Sequence, residues 1–170
     1  MFIIAYSPHL LNTFFSVKLK HMPVLAINPR AKYDYEILET YEAGIVLAGY
    51  EVKSIKTGHI GLKGSYVTIK NNEAFLINAQ ISPYQPKNTP DDYEPSRSRK
   101  LLLHKSEIKS LIGRIKQKSL TLVPLLVYTK KGKIKLEFAV GKGKRKTDKR
   151  EKIKKREAER TIERALRQKM

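Results

Sequence analysis

The chain is predicted to be mainly β with few helices (α+β): a small β-barrel followed by a basic tail. Three observations predict it. Short apolar segments recur at close spacing between turn residues. A single stretch, near residues 106–116, carries a clear helical stripe. From Gly141 to Met170 there are 14 Lys/Arg against 5 Asp/Glu, a net +9, with no Pro, aromatic or β-branched run to build a core.

Residues 1–25 are set apart as an N-terminal extension, disordered or a misassigned start. MFIIAYSPHLLNTFFSVKLKH is apolar at its front. No positive region precedes Phe2, Pro8 and His9 interrupt the run, and no small-x-small cleavage pattern follows. A secretory signal is therefore not expected, and Met22 is the expected true start. Residues 26–140 are long enough for one core and form one domain. Tyr35 to Tyr41 reads as a strand. Ile45 to Ile55 is ambiguous in period and reads as a strand leading into a short helix. Gly58, Gly61 and Gly64 mark turns. Ser65–Lys70 and Ala74–Ile81 are strands joined at Asn71-Asn72, because Asn tolerates positive φ in a tight hairpin.

Pro83, Pro86, Pro90 and Pro95 make Ser82–Arg99 a loop. Ser106 is the expected N-cap of a helix whose Ile108, Leu111, Ile112 and Ile115 line one face, read as core. Lys109, Arg114 and Lys116 lie on the other. Leu120–Tyr128 is a strand, with Pro124 implying an edge or a bulge. Lys130-Lys131-Gly132 turns the chain. Ile134, Leu136, Phe138 and Val140 then point one way, and Lys133, Lys135, Glu137 and Ala139 the other. Gly141 and Gly143 are expected to end this strand and loosen the chain. An OB-type barrel is the common nucleic-acid version of such a pattern, but an SH3-like barrel and an α+β sandwich stay open.

Residues 141–170 form the tail. After Asp148 it is helix-friendly. Asp148–Lys152, Glu151–Lys155 and Glu163–Arg167 are favourable i,i+4 pairs, worth about 0.2–0.5 kcal/mol each. The apolar stripe of Ala158, Ile162, Ala165 and Leu166 is too narrow to dock it. A tail disordered when free and helical when bound is expected.

The whole chain carries 35 Lys/Arg against 16 Asp/Glu, a net +19 with a pI near 10.0. A polyanion is the expected partner, with nucleic acid favoured over a merely solvated surface or a membrane. The absence of cysteine excludes disulfides, thiol catalysis and Cys-based zinc sites. His9, His21, His59 and His104 lack metal-ligand spacing. Asp91, Asp92 and Glu94 are the carboxylates a metal-dependent nuclease could cluster, and a solvated acidic loop explains them better. No nucleophile triad, phosphate loop or zinc signature is present. The expectation is a non-catalytic, monomeric, cytoplasmic binder without cofactor or metal.

Asn28-Pro29-Arg30-Ala31-Lys32-Tyr33-Asp34-Tyr35 resembles the N-terminal signature of the small protein B family, the SsrA (tmRNA)-binding proteins of bacteria. Glu42-Ala43-Gly44, Gly49–Ile55, Ser65-Tyr66-Val67, Glu73–Leu76, Arg97–Leu103, Gly141–Arg145 and Asp148-Lys149-Arg150 follow in family order. The resemblance covers about 26–170. It departs at Gly64, where Asp is frequent, at Gly141, where Ala is usual, and at Thr147, where an aromatic or His is common.

The resemblance implies an OB-like barrel and a role in trans-translation. The partners implied are tmRNA, alanylated and with elongation factor Tu, and the ribosome's small-subunit decoding centre and mRNA channel. Glu42, Leu102 and Lys135 resemble the family's tmRNA-binding determinants. Asn28, Arg30 and Lys32 belong to the N-terminal contact block. Arg97, Arg99, Lys100, Lys142, Lys144 and Arg145 complete the expected RNA-binding set. Asp148, Lys149 and Arg150 match the tail motif needed for tagging, with Ile153 and Leu166 beside them in tail function. Lys135, on a polar strand face, can reach phosphate. Glu42 repels phosphate, so it either accepts from bases and 2′-hydroxyls, orients a cation, or braces the barrel. The alternative is a basic structural ribosomal or general RNA-binding protein.

Overall fold

The computed structural model describes residues 23–85, 89–90, 92–115, 120–145, 157 and 160–161. The extension before Pro23 and the tail residues Asp148, Lys149, Arg150, Ile153 and Leu166 lie outside the described residues. In chain order the elements are β1 (Val24–Ile27), α1 (Ala31–Asp34), β2 (Tyr35–Ile45), α2 (Gly49–Lys56), β3 (Ile60–Gly61), β4 (Tyr66–Lys70), β5 (Glu73–Ile77), β6 (Gln80–Ile81), β7 (Arg99–Leu102), α3 (Lys105–Ile115), β8 (Leu120–Lys130) and β9 (Lys133–Gly143).

The main sheet runs β1-β8-β4-β5-β7-β2-β9, and β8 also pairs with β9. Six strands therefore close into a ring, and β1 adds to the flank of β8. Closure is what chooses the barrel over the open sandwich, because it leaves the long strands without free edges. All these pairings are antiparallel.

The alternation read along β9 is real. Leu136, Phe138 and Val140 are fully buried and Ile134 nearly so. They meet Leu76, Leu101, Leu122, Val127 and Ile81 from the other strands, and Ile55 and Leu111 from α2 and α3, in one core. Phe138 also stacks on Tyr41, with ring centroids 5.6 Å apart.

Both tight hairpins form where turn residues stand. Asn71 and Asn72 take φ of 52° and 58° between β4 and β5, and Lys131 and Gly132 take 49° and 75° between β8 and β9. Two consecutive left-handed residues give the turn whose twist matches the strands. Gly132→Ala adds a Cβ in that conformation, and is expected to cost about 1–2 kcal/mol. Urea unfolding with an unchanged m-value measures it.

Three local expectations are corrected, and one, at Pro124, is narrowed to one of its two alternatives. Helix α3 begins at Lys105, and His104, not Ser106, stands at its cap. The His104 carbonyl accepts from Ile108 N–H at 3.1 Å, and Glu107 reaches back to the His104 amide at 2.8 Å. Gly61 lies in a short strand opposite Gln80 rather than in a turn. Pro124 is not on an edge: β8 has partners on both sides. It does sit at a bulge, where the register to β9 shifts between Pro124 and Leu126, since proline has no N–H for the ladder. Finally, Gly141 does not end β9: it pairs with β2 opposite Ile37, and the strand runs on to Gly143, its last residue, opposite Tyr35. A Cβ on Gly141 would lie 3.1 Å from that of Tyr35, so the glycine permits close strand approach rather than looseness.

Candidate nucleic-acid interface

The outer face of β2, β9 and β8 gathers the charged residues. Gly44 sits opposite Leu102 on one side and Lys135 on the other. Lys135 in turn sits opposite Tyr128. Directly opposed residues share a face, so Leu102, Lys135 and Tyr128 point outward together, with Glu42 two residues along β2 and Lys130 two along β8.

Glu42 is the hub. Its Oε2 accepts from the Tyr128 hydroxyl and from Lys130 Nζ at 2.7 Å. Its Oε1 accepts from Lys130 Nζ at 3.0 Å and faces Lys135 Nζ at 3.7 Å. Partial burial works against the carboxylate, and is the largest single influence. Lys130, Tyr128 and Lys135 together outweigh it and hold the Glu42 carboxyl below its usual range. Burial, then the hydrogen bond to Glu42 and its charge, push the Tyr128 hydroxyl up, so it stays a donor.

Leu102 is 57% exposed, an apolar rim rather than core. It lies over Gly44, where a Cβ would meet Leu102 carbons at 3.3 Å. A cleft of about 380 Å³ opens beside it, lined by Leu47, Val52, Lys133 and Lys135.

A second basic group sits at the other end of the same strands. Lys144 donates from Nζ to the Lys32 carbonyl at 2.8 Å and from its amide to the Asp34 carbonyl at 2.9 Å. That brings Lys142, Lys144 and Arg145 beside the exposed Arg30 and Lys32. Tyr35 pairs with Gly143 at this end and Gly44 with Lys135 at the first. Nine residues of β2 separate them, roughly 30 Å at about 3.3 Å per residue. The residues expected to bind RNA thus form two groups, not one.

Three of them do structural work. Arg99 is a correction: it is wholly buried and cannot reach a nucleic acid. Its Nε donates to Glu51 Oε1 at 2.9 Å, and its other nitrogens to the carbonyls of Ala79, Arg97 and Pro95 at 2.7, 3.0 and 2.9 Å. Arg97 also binds Glu51, so its charge is largely spent there, although its side chain is 35% exposed. Asn28 is 8% exposed and braces the β8 bulge. Its Nδ2 donates to the Pro124 carbonyl at 3.0 Å, and its Oδ1 accepts from the Arg30 amide at 3.2 Å. Lys100 is exposed and pairs with Glu73 on the neighbouring strand.

Tyr128 and Lys130 were missed by sequence reasoning, which placed them at a strand end and in a turn. The available signal was their spacing of two on a strand, which puts both on one face.

A closed barrel with a charged cleft face and a second basic end belongs to the class of nucleic-acid-binding barrels. The chain itself belongs to the SmpB protein family, whose model matches residues 25–168. It is 52% identical over 143 residues to the SsrA-binding protein of Nostoc punctiforme, covering 84% of this chain and 92% of that protein. It is 53% identical over 145 residues to the SsrA-binding protein of Acetivibrio thermocellus, covering 85% and 94%. A solved chain described as "tmRNA-SmpB: a journey to the center of the bacterial ribosome" superposes with a TM-score of 0.61 at 45% identity, covering 77% of this chain and 94% of that one. Among the described residues no helix is long and apolar enough to cross a membrane.

Proposed function

We propose that this protein binds the tRNA-like domain of tmRNA and delivers the RNA to stalled ribosomes for trans-translation. It acts in the cytoplasm and without catalysis, on alanyl-tmRNA carried with elongation factor Tu. The observation that carries this reading is the single outward face of Glu42, Lys135 and Leu102 in a chain of the SmpB family. Two ammonium groups attract phosphate there, and an exposed leucine beside an apolar cleft suits a nucleobase or sugar edge. The group of Arg30, Lys32, Lys142, Lys144 and Arg145 lies where the chain leaves the barrel, and serves as a second RNA-facing surface. Beyond it, residues 146–170, with Asp148, Lys149, Arg150, Ile153 and Leu166, occupy the empty mRNA channel next to the decoding centre.

The test is a salt titration of binding to the isolated tRNA-like domain, with an elongator tRNA as competitor. Phosphate-only binding weakens steeply with salt and does not choose between the two RNAs. A preference for the tRNA-like domain that persists at physiological salt is the expected result. Equal binding that collapses with salt sinks the proposal and favours a basic structural ribosomal protein.

A further inference from the structure

Resting on that reading, we infer that Lys130 is an RNA phosphate contact and that Glu42 is a positioning residue. Glu42 holds Lys130 and Lys135 as a two-pronged fork, and Tyr128 fixes Glu42.

The argument starts from the carboxylate. Glu42 comes from β2, Tyr128 and Lys130 from β8, and Lys135 from β9. Both Glu42 oxygens are engaged by these neighbours: Oε2 by the Tyr128 hydroxyl and Lys130, and Oε1 by Lys130 at 3.0 Å with Lys135 at 3.7 Å. An ionised carboxylate so occupied has little capacity left for a base amino group, and repels a phosphate directly. The two ammonium groups have capacity. Each carries three donors and no acceptor. Lys130 uses donors on Glu42 and keeps at least one for solvent. Lys135, at the longer distance, is held by charge more than by a hydrogen bond. Their side chains are 34% and 28% exposed, so both heads can be reached.

Two ammoniums against one carboxylate leave this trio with a net positive charge. Glu137 stands opposite Glu42 in the register and adds negative charge along the same row. That leaves the lysine heads, rather than the strand surface around them, as the place where a phosphate is favoured. Free lysine side chains lose much rotamer freedom when they bind a phosphate. A carboxylate that already holds them in the unbound protein removes part of that loss. Tyr128 completes the arrangement. It is 4% exposed, and its hydroxyl ties the Glu42 carboxylate to a strand that is paired with β9 from Leu120 to Lys130. This gives Glu42 a role that does not require RNA to approach a negative charge.

The experiment measures affinity of the full chain for the tRNA-like domain of tmRNA across a salt series. Lys130→Met is expected to weaken binding about tenfold, and to lower the magnitude of the log–log salt slope by about 0.7–0.9, the signature of one lost phosphate contact. Lys109→Met, on the exposed side of α3, is expected to leave the slope unchanged. Tyr128→Phe is expected to weaken binding about threefold to tenfold at an unchanged slope, because the contacts still form but are no longer pre-ordered. Glu42→Gln is expected to weaken binding alone, yet to add nothing in a Lys130→Met/Lys135→Met background.

An unchanged slope for Lys130→Met overturns the phosphate contact. A full additional loss from Glu42→Gln in the double-lysine background overturns the positioning role, and makes Glu42 an RNA contact itself. Lys130 is partly exposed, so its variant folds even if Tyr128→Phe does not. If the wild-type chain shows no preference for the tRNA-like domain, the proposed function fails. The Lys130 slope measured on the competitor RNA still decides this inference.

Discussion

Arg99→Met is expected to lower stability by about 3–5 kcal/mol while leaving the affinity of the folded protein for RNA within twofold. For a barrel of this size that is a fall in Tm of roughly 10–20 °C. The reason is the site's completeness. Glu51 and Arg99 are both fully buried. Glu51 accepts from Arg99, from Arg97 and from the Ala48 amide at 2.9 Å. Arg99 satisfies three backbone carbonyls, that of Ala79 just before β6 and those of Pro95 and Arg97 in the segment that leads from β6 into β7. Tyr93 closes the network by donating to the Ile81 carbonyl at 2.8 Å, with its ring edge-on to Tyr50 at 5.1 Å. Removing the guanidinium strands those carbonyls and weakens the neutralisation of Glu51. Thermal melts and RNA titrations on one preparation check both halves. A stable Arg99→Met protein with weakened RNA binding contradicts the assignment of Arg99 to the interior.

The same network carries a pH signature. Burial is the strongest influence on the Glu51 carboxyl and pushes it up, but Arg97, the Ala48 amide and Arg99 together bring it below its usual range. A lowered folded-state pKa adds stability above the unfolded value, and that stability is lost as pH falls through the folded one. Glu42 titrates in the same direction. The wild-type protein is therefore expected to lose stability below about pH 4. Glu51→Gln is less stable at neutral pH and has a flatter acid limb.

Removing residues 146–170 is expected to abolish tagging at stalled ribosomes, while affinity for the tRNA-like domain falls by no more than about tenfold. The barrel survives the cut because β9 ends at Gly143, and Lys144 is tied to α1 through the carbonyls of Lys32 and Asp34. The removed segment has 11 Lys/Arg and 5 Asp/Glu, a net +6. Its contribution to RNA affinity is non-specific and fades with salt. Under the proposed function its contribution on the ribosome is steric and positional, so the barrel alone is expected not to replace it. Binding assays at physiological salt, beside a reconstituted stalled-translation reaction, separate the two. Loss of tRNA-like-domain binding in the truncated chain would refute the division into platform and tail.

Much of this protein was legible in its sequence. The alternation of Ile134, Leu136, Phe138 and Val140, the Asn71-Asn72 and Lys131-Gly132 turns and the stripe of Ile108 and Leu111 each rest on local periodicity or on φ preference. The ordered family motifs added the barrel type and pointed to Glu42, Leu102 and Lys135, which the fold brings to one face.

The tertiary structure decided what local pattern does not encode. Glu42 meets Tyr128 and Lys130 across 86 and 88 residues of chain. Arg99 meets Glu51 across 48. In sequence, Arg97, Arg99 and Lys100 form one basic cluster. In the fold, strand alternation turns Arg99 into the interior and Lys100 out to solvent. Composition supplies the net charge and periodicity supplies the faces. Closure of β8 on β9 sets which cations meet which carboxylates, and so which charges remain for RNA.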